Sequence, residues 1–303
     1  MRYRPAIMQT NRSVGALLRQ WRLHRRLSQL DVACEADVST RHLSFVETGR
    51  SLPSREMVMR LAERLQVPLR ERNALLVAAG YAPLFAERPL HDPALAAARQ
   101  AVDLVLSGHE PYPALAIDRH WTLVAANGAV ARLLGGVDPA LLAPPVNVLR
   151  LSLHPAGLAP RIVNFAQWRA HLLARLHGQI EATADPVLGA LMHELCGYPV
   201  PQADASVEQA AQAAVVVPLR LSTAHGTLEL ISTTTVFGTP VEVTLSELAL
   251  ESFYPASPLT AQALRQLAEP GGQAPSGPAP RAASVRPARK PPVGARHRAR
   301  DAG

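Results

Sequence analysis

Residues 28–50, SQLDVACEADVSTRHLSFVETGR, constrain this chain more than any other stretch, because they spell two short helices joined by a tight turn, the second with a polar face. Ser28 is a residue type whose hydroxyl accepts from unpaired N–H groups at a helix start, and Asp31 stands three positions on, the spacing of a capping box. Leu30, Val32 and Ala33 supply apolar faces to the first helix, with Ala33 small where a crossing helix approaches. Asp37 and Val38 break the pattern, and Ser39 offers a second N-cap. Behind it Leu43 and Val46 fall on an inward face, while Thr40, Arg41, His42 and Ser44 point outward, where a helix laid in a major groove meets base edges. Gly49 is the expected stop, since glycine takes the left-handed conformation after a helix without penalty.

Roles follow from side-chain chemistry. Arg41 has the fork that fits guanine O6 and N7. Gln29, opening its helix, suits a phosphate or the bracing of an outward side chain. Arg50 and Arg55, beyond the second helix, suit phosphates, which position without specifying. Glu47, an acid near a polyanion, is expected to brace the domain's own arginine or backbone. The candidate DNA contacts are therefore Gln29, Ser39, Thr40, Arg41, His42, Ser44, Arg50 and Arg55.

The surrounding sequence completes an all-α head over residues 13–80. A helix over 14–26 carries Leu17, Leu18 and Trp21 at helical spacing, one begins near Ser54 with Met57, Val58, Leu61, Ala62 and Leu65 on one face, and another runs from Pro68 to Gly80. That makes five helices. Residues 1–12 read as a flexible basic arm, and the Pro-punctuated residues 81–93 as a linker. The body, 94–268, opens with a helix over 95–106 suited to lie between domains or in a dimer. A hairpin over 114–127 follows, its Asn127 placed to cap the next helix. Two helices then carry Phe165, Trp168, Leu172, Leu173 and Leu176, and Leu188, Leu191, Met192 and Leu195. Beyond them, alternation around Gly226 and Gly238 predicts three antiparallel strands, so the body is mixed α+β. Residues 269–303 are Pro-rich, basic and poor in large apolar residues, the composition of a disordered tail.

Charge separates these regions. Residues 1–88 hold 15 Arg against 8 acids, residues 89–269 hold 9 Arg against 15 acids, and residues 270–303 hold 7 basic residues against 1 acid. A basic head on an acidic body attracts phosphates locally and avoids them elsewhere. Lys290 is the only lysine, and the Arg, Ala and Pro bias fits a GC-rich coding sequence as well. No run of apolar residues approaches a membrane span and no leader pattern opens the chain, so a cytoplasmic, nucleoid-associated protein without membrane contact is expected. Cys34 and Cys196 fall in different domains and form no ligand or disulfide pattern; both are expected to be core thiols.

The head resembles the Xre/lambda-repressor helix-turn-helix family through Leu27-Ser28-Gln29, Ala33, Val38-Ser39, Leu43-Ser44, Glu47-Thr48-Gly49-Arg50 and Pro53, departing at Asp37 where that family usually has Gly. The segments PALAIDRHWTLVAAN, VNVLRLSLHPAGLAPRIVNFAQWRAHLLARL and VTLSELALESFYP resemble the MmyB-like ligand-binding domain often found behind such a head. This second resemblance implies a PAS-like body whose pocket can accommodate a small apolar, fatty-acid-like ligand, the natural effector not being fixed across the family; no cofactor is expected. Candidate pocket residues are Trp121, His154, Arg161, Asn164, Phe165, Trp168, Leu172, Met192 and Phe237, with His154, Arg161 and Asn164 as polar handles.

No catalytic template completes itself: His193-Glu194 lacks the second histidine of H-E-x-x-H, and neither a phosphate loop nor a nucleophile elbow is present. His154, His171, His177 and His193 match no metal-ligand spacing. The sequence reading is a bacterial, dimeric, non-enzymatic transcription regulator acting on a double-stranded DNA operator. Its alternative is a small-molecule-binding or enzymatic body whose helical head serves protein–protein contacts.

Overall fold

The computed structural model describes residues 12–200, 216–237 and 242–269. The head is built from α1 (Val14–His24), α2 (Gln29–Glu35), α3 (Thr40–Glu47), α4 (Arg55–Arg64) and α5 (Leu69–Ala78). Four of these starts use the same device. The hydroxyls of Ser13, Ser28, Ser39 and Ser54 accept from the backbone N–H of Ala16, Asp31, His42 and Met57 at 3.1–3.3 Å, and Asp31 returns the bond to Ser28 in a full capping box. Chain reversals fall where the sequence places them, with φ of 53° at Asp37 and 76° at Gly49.

Leu18, Trp21, Val32, Leu43, Val46, Val58, Leu61 and Leu76 close a common core. Gly15 has a packing reason: a Cβ there would stand 2.0 Å from the Val46 carbonyl oxygen, so only glycine lets α1 and α3 approach this closely. Two expectations fail. Leu30 is 59% exposed because Val32, Ala33 and Ala36 already take the inward stripe of α2. Cys34 and Cys196 are likewise exposed, each beside a residue, Ala33 or Leu195, that occupies the core side of its helix.

The body begins with a 3-10 turn (Pro93–Leu95) leading into α6 (Ala96–Gly108), then β1 (Ala114–Ile117), β2 (Leu123–Ala126), α7 (Gly128–Leu133), α8 (Pro139–Leu142) and α9 (Val148–Leu153). Next come α10 (Phe165–Thr183), α11 (Pro186–Cys196), β3 (Leu219–Thr223), β4 (Gly226–Val236), α12 (Val243–Ser246), β5 (Ala249–Pro255) and α13 (Pro258–Ala268). The hairpin and the three later strands form one antiparallel sheet in the order β2-β1-β5-β4-β3, with β1 and β5 joined by Ala114↔Ser252 through Ile117↔Ala249.

Period-two alternation divides the sheet. Leu115, Ile117, Ala249 and Phe253 face the main body core with α7, α9, α10 and α11, whereas Ala114, Ala116 and Leu250 face α6 through Val102 and Leu106. Leu104 and Val105 on α6 stay exposed. Asn127 does stand at the start of α7, but its amide instead donates to the Leu106 and Tyr112 carbonyls while its carbonyl oxygen accepts from Ala114 N–H, pinning β1 to α6.

Residues 81–92 run without regular helix or strand, yet they are fastened at both ends. Asn73 bonds the backbone of Leu84 and Phe85, and Glu242 and Val243 bond that of Arg88 and Ala86. The expected arm before Arg12, the tail after residue 269 and Gly238 lie outside the described residues.

Candidate functional site

On the head, α3 carries Arg41 exposed and Thr40, His42 and Ser44 half-exposed, on the side opposite buried Leu43 and Val46. The Ser39 hydroxyl is used by its helix cap. Arg41 and Arg50 flank the Phe45 ring, their guanidinium carbons 5.4 and 5.9 Å from its centre. Phe45 went unassigned in the sequence, although an aromatic four residues after Arg41 on a short helix is the signal for such a platform. Neither these arginines nor Arg55 has an acidic partner within ion-pair distance among the described residues, so their charge is uncommitted.

Beneath this face lies a buried ion pair. Arg22 donates to both Glu47 carboxylate oxygens at 2.7 and 2.9 Å, and Gln29 donates to the same carboxylate at 2.8 Å. Gln29 thus braces a buried side chain, where an outward one or a phosphate was expected. Burial pushes the Glu47 carboxyl up, but the bonds from Arg22 and Gln29 with the nearby Arg22 charge prevail and hold it below the ordinary carboxylate range. The acid thus anchors α3 to α1 and does not confront a phosphate.

In the body, an apolar cavity of about 110 Å³ lies between the sheet and α7, α9 and α10. Trp121, Trp168 and Leu172, all expected at a pocket, line it together with Leu133, Leu151 and Phe253. The other expected residues are elsewhere. Phe165 is buried in the surrounding core and Met192 packs at its edge, neither lining this cavity, and Phe237 belongs to the opposite face of the sheet. His154 caps α9 and packs edge-on against Tyr198, while Arg161 donates to the Leu133, Gly135 and Ser222 carbonyls. Asn164 ties α10 to β3 through Pro218 O and Arg220 N–H. These three polar side chains are consumed by loop and strand backbone, which explains their positions without a ligand.

The charged groups that face the cavity are Arg175 and Glu251. The pair is doubly hydrogen-bonded, Thr234 bonds both partners, and the Arg175 guanidinium lies 4.9 Å from the Trp121 ring centre. Sequence reasoning missed both, though Glu251 shares strand parity with Ala249 and Phe253, and Arg175 falls between Leu172 and Leu176 on α10.

Trp121, Arg175 and Glu251 also line a second cleft of about 550 Å³, walled by charged and apolar side chains, whose opposite wall is the start of α5, residues 67–72 of the head. Head and body meet around it. Arg70 grips Glu247 with bonds of 2.8 and 2.9 Å and also pairs with Glu87. Arg25 donates to the Glu181 and Ala182 carbonyls at 2.6 and 2.7 Å, so a head cation caps the negative C-terminal end of α10.

A helix-turn-helix head with an exposed cationic face, fastened to an α+β body with an apolar cavity, is the architecture of a DNA-binding regulator with a ligand-sensing domain. Residues 98–267 match the MmyB-like transcription regulator ligand binding domain and residues 13–75 a helix-turn-helix domain, and the chain belongs to the MmyB-like transcription regulators. No curated protein matches the chain. Among solved structures, an RNA-binding Light-Oxygen-Voltage receptor aligns at 12% identity over 84% of this chain and 64% of its own, with a TM-score of 0.24, too low to bear on the fold.

Proposed function

We propose that this regulator reads a specific double-stranded DNA operator with α3, acts as a homodimer in the cytoplasm, and changes its DNA affinity or geometry when a small apolar, fatty-acid-like ligand enters the body. The observation that supports it best is the exposed α3 face, where Arg41 and Arg50 carry charge that no acid among the described residues neutralises while the neighbouring Glu47 is withdrawn into a buried pair. In keeping with a soluble regulator, no helix among the described residues is long and apolar enough to cross a membrane.

Ligand control requires unequal affinity for the DNA-competent and incompetent states. The apolar cavity supplies the means, since a chain that fills it contacts α10, and α10 ends on the head at Arg25.

A gel-shift titration on the DNA upstream of the gene tests the reading. Arg41→Ala should weaken operator binding by about 1–3 kcal/mol and relax one base position, and Arg50→Ala should weaken all sequences alike and lower the salt slope by about 1. Binding that is insensitive to salt, or identical for both variants and the parent, would overturn it.

A further inference from the structure

Phe45 is a large aromatic side chain that the head core does not claim. It is half-buried, and it belongs neither to the buried cluster of the head nor to the partly buried side chains packed on that cluster. Two guanidiniums lie over its ring instead, Arg41 at 5.4 Å and Arg50 at 5.9 Å from the centre. Both are within the range at which a cation is drawn to an aromatic face.

Local geometry puts each arginine there. Arg41 stands four residues before Phe45 on α3, one turn away on the same face. Arg50 is returned to the ring by the way the helix ends. Gly49 takes its φ of 76°, its N–H donates to the Val46 carbonyl, and the Arg50 N–H donates to the Phe45 carbonyl at 2.8 Å. This is a Schellman closure, and the side-chain contact that usually joins its two outer positions is made here by the Phe45 ring and the Arg50 guanidinium.

Other arginines over rings are used differently. Arg25 lies over Trp21 and Arg175 over Trp121, yet Arg25 gives its N–H donors to the carbonyls of Leu65, Gln66, Glu181 and Ala182, and Arg175 gives its own to Glu251 and Thr234. Arg41 and Arg50 lie over a ring with no acceptor bonded to either guanidinium among the described residues. A ring face holds a guanidinium without offering it an oxygen, so the donors that fork onto guanine O6 and N7, or onto a phosphate, stay free. An arginine ordered beforehand also has less side-chain freedom to lose on binding.

Resting on the operator-reading proposal above, we infer that Phe45 is a specificity-determining positioning residue, whose ring holds Arg41 and Arg50 in a fixed mutual arrangement so that base reader and phosphate anchor reach the DNA already ordered. The ring itself reads no base. Its removal leaves both charges in place, so attraction to phosphate survives while discrimination between sequences falls.

The full chain is first followed without DNA, by nitrogen relaxation at the arginine Nε atoms. Arg41 and Arg50 are expected to be more ordered than Arg55, which has no ring or acid partner among the described residues, and Phe45→Leu should bring all three to the same mobility. Arg41 as mobile as Arg55 in the parent overturns the inference, whatever the variants do. Anisotropy titrations then compare the upstream operator duplex with a scrambled duplex of equal length. Phe45→Leu should lower the ratio of the two affinities about fivefold, the scale of an exposed cation–π contact, with the salt slope unchanged because no charge is lost. Phe45→Tyr, which keeps the ring face, should restore the parent ratio. In the Arg41→Ala background, Phe45→Leu should change the ratio by less than about twofold, because the two residues act as one unit. A loss as large as in the parent background, a Tyr variant as poor as the Leu variant, or a ratio that Phe45→Leu leaves untouched overturns the inference alone. A parent that holds both duplexes equally overturns the operator reading and the inference with it.

Discussion

The head and the body solve the same problem at different levels of the structure. Each of the first four head helices opens on a serine whose hydroxyl bonds the third helical N–H, so local chemistry sets the helix starts before any packing occurs. The core then closes through a glycine that permits backbone contact between α1 and α3. In the body, β1 is buried along its whole length between β2 and β5, strands that come from opposite ends of the domain, and the core retains an apolar hollow. The lesson is that the head takes its shape from local signals and close helix packing, while the body keeps room and depends on long-range pairing for its shape.

The sharpest way to break that contrast is Glu47→Ala. It leaves Arg22 buried without its partner, and the head should lose about 3–5 kcal/mol, read by urea unfolding, with the body transition unmoved. Gly15→Ala comes next, forcing α1 from α3 at a cost of about 1–3 kcal/mol and lowering operator affinity through the displaced reading helix.

A matched pair then compares the two cores with one chemical change. Val58→Leu in the head, where Val58 is fully buried, should cost about 1–3 kcal/mol through overpacking. Val130→Leu in the body grows into the cavity that Val130 lines and should cost less than about 1.5 kcal/mol, while reducing ligand uptake. Equal costs in thermal melts would show that the hollow is not space the body keeps open.

The smallest effects concern pH and run in opposite directions. Glu47 is held below the ordinary carboxylate range in the folded head, so its contribution is present above that range and lost as pH falls through the depressed value. Glu71, at the junction, is raised by burial, so its contribution is present below the ordinary range and lost as pH rises through the raised value. Urea midpoints across the acid range should therefore show Glu71→Gln gaining stability near neutral pH, and Glu47→Gln losing it there.

The site divides along the same line as the fold. The outward placement of Arg41, Thr40, His42 and Ser44 was legible because a short helix with its apolar residues at Leu43 and Val46 leaves few ways to turn the rest. Trp121, Trp168 and Leu172 were legible as apolar residues of the body, but their neighbours His154, Arg161 and Asn164 were not, since a polar side chain near an apolar run serves a backbone as readily as a ligand. Arg175 and Glu251 escaped because they lie 76 residues apart and become a pair only when α10 crosses β5.

What the sequence determined alone was therefore everything carried by nearby residues: the serine caps, the turns at Asp37 and Gly49, the helical periods of the head and the alternation of the later strands. What only the tertiary structure decided was which distant pieces meet. The hairpin joined β5, the connection at 81–93 was stitched down, and Arg25 and Arg70 of the head closed a cleft against the end of α10 and Glu247. Caps and periods act over three or four residues and are written in order, whereas pairing and closure follow from complementary faces that no local pattern specifies.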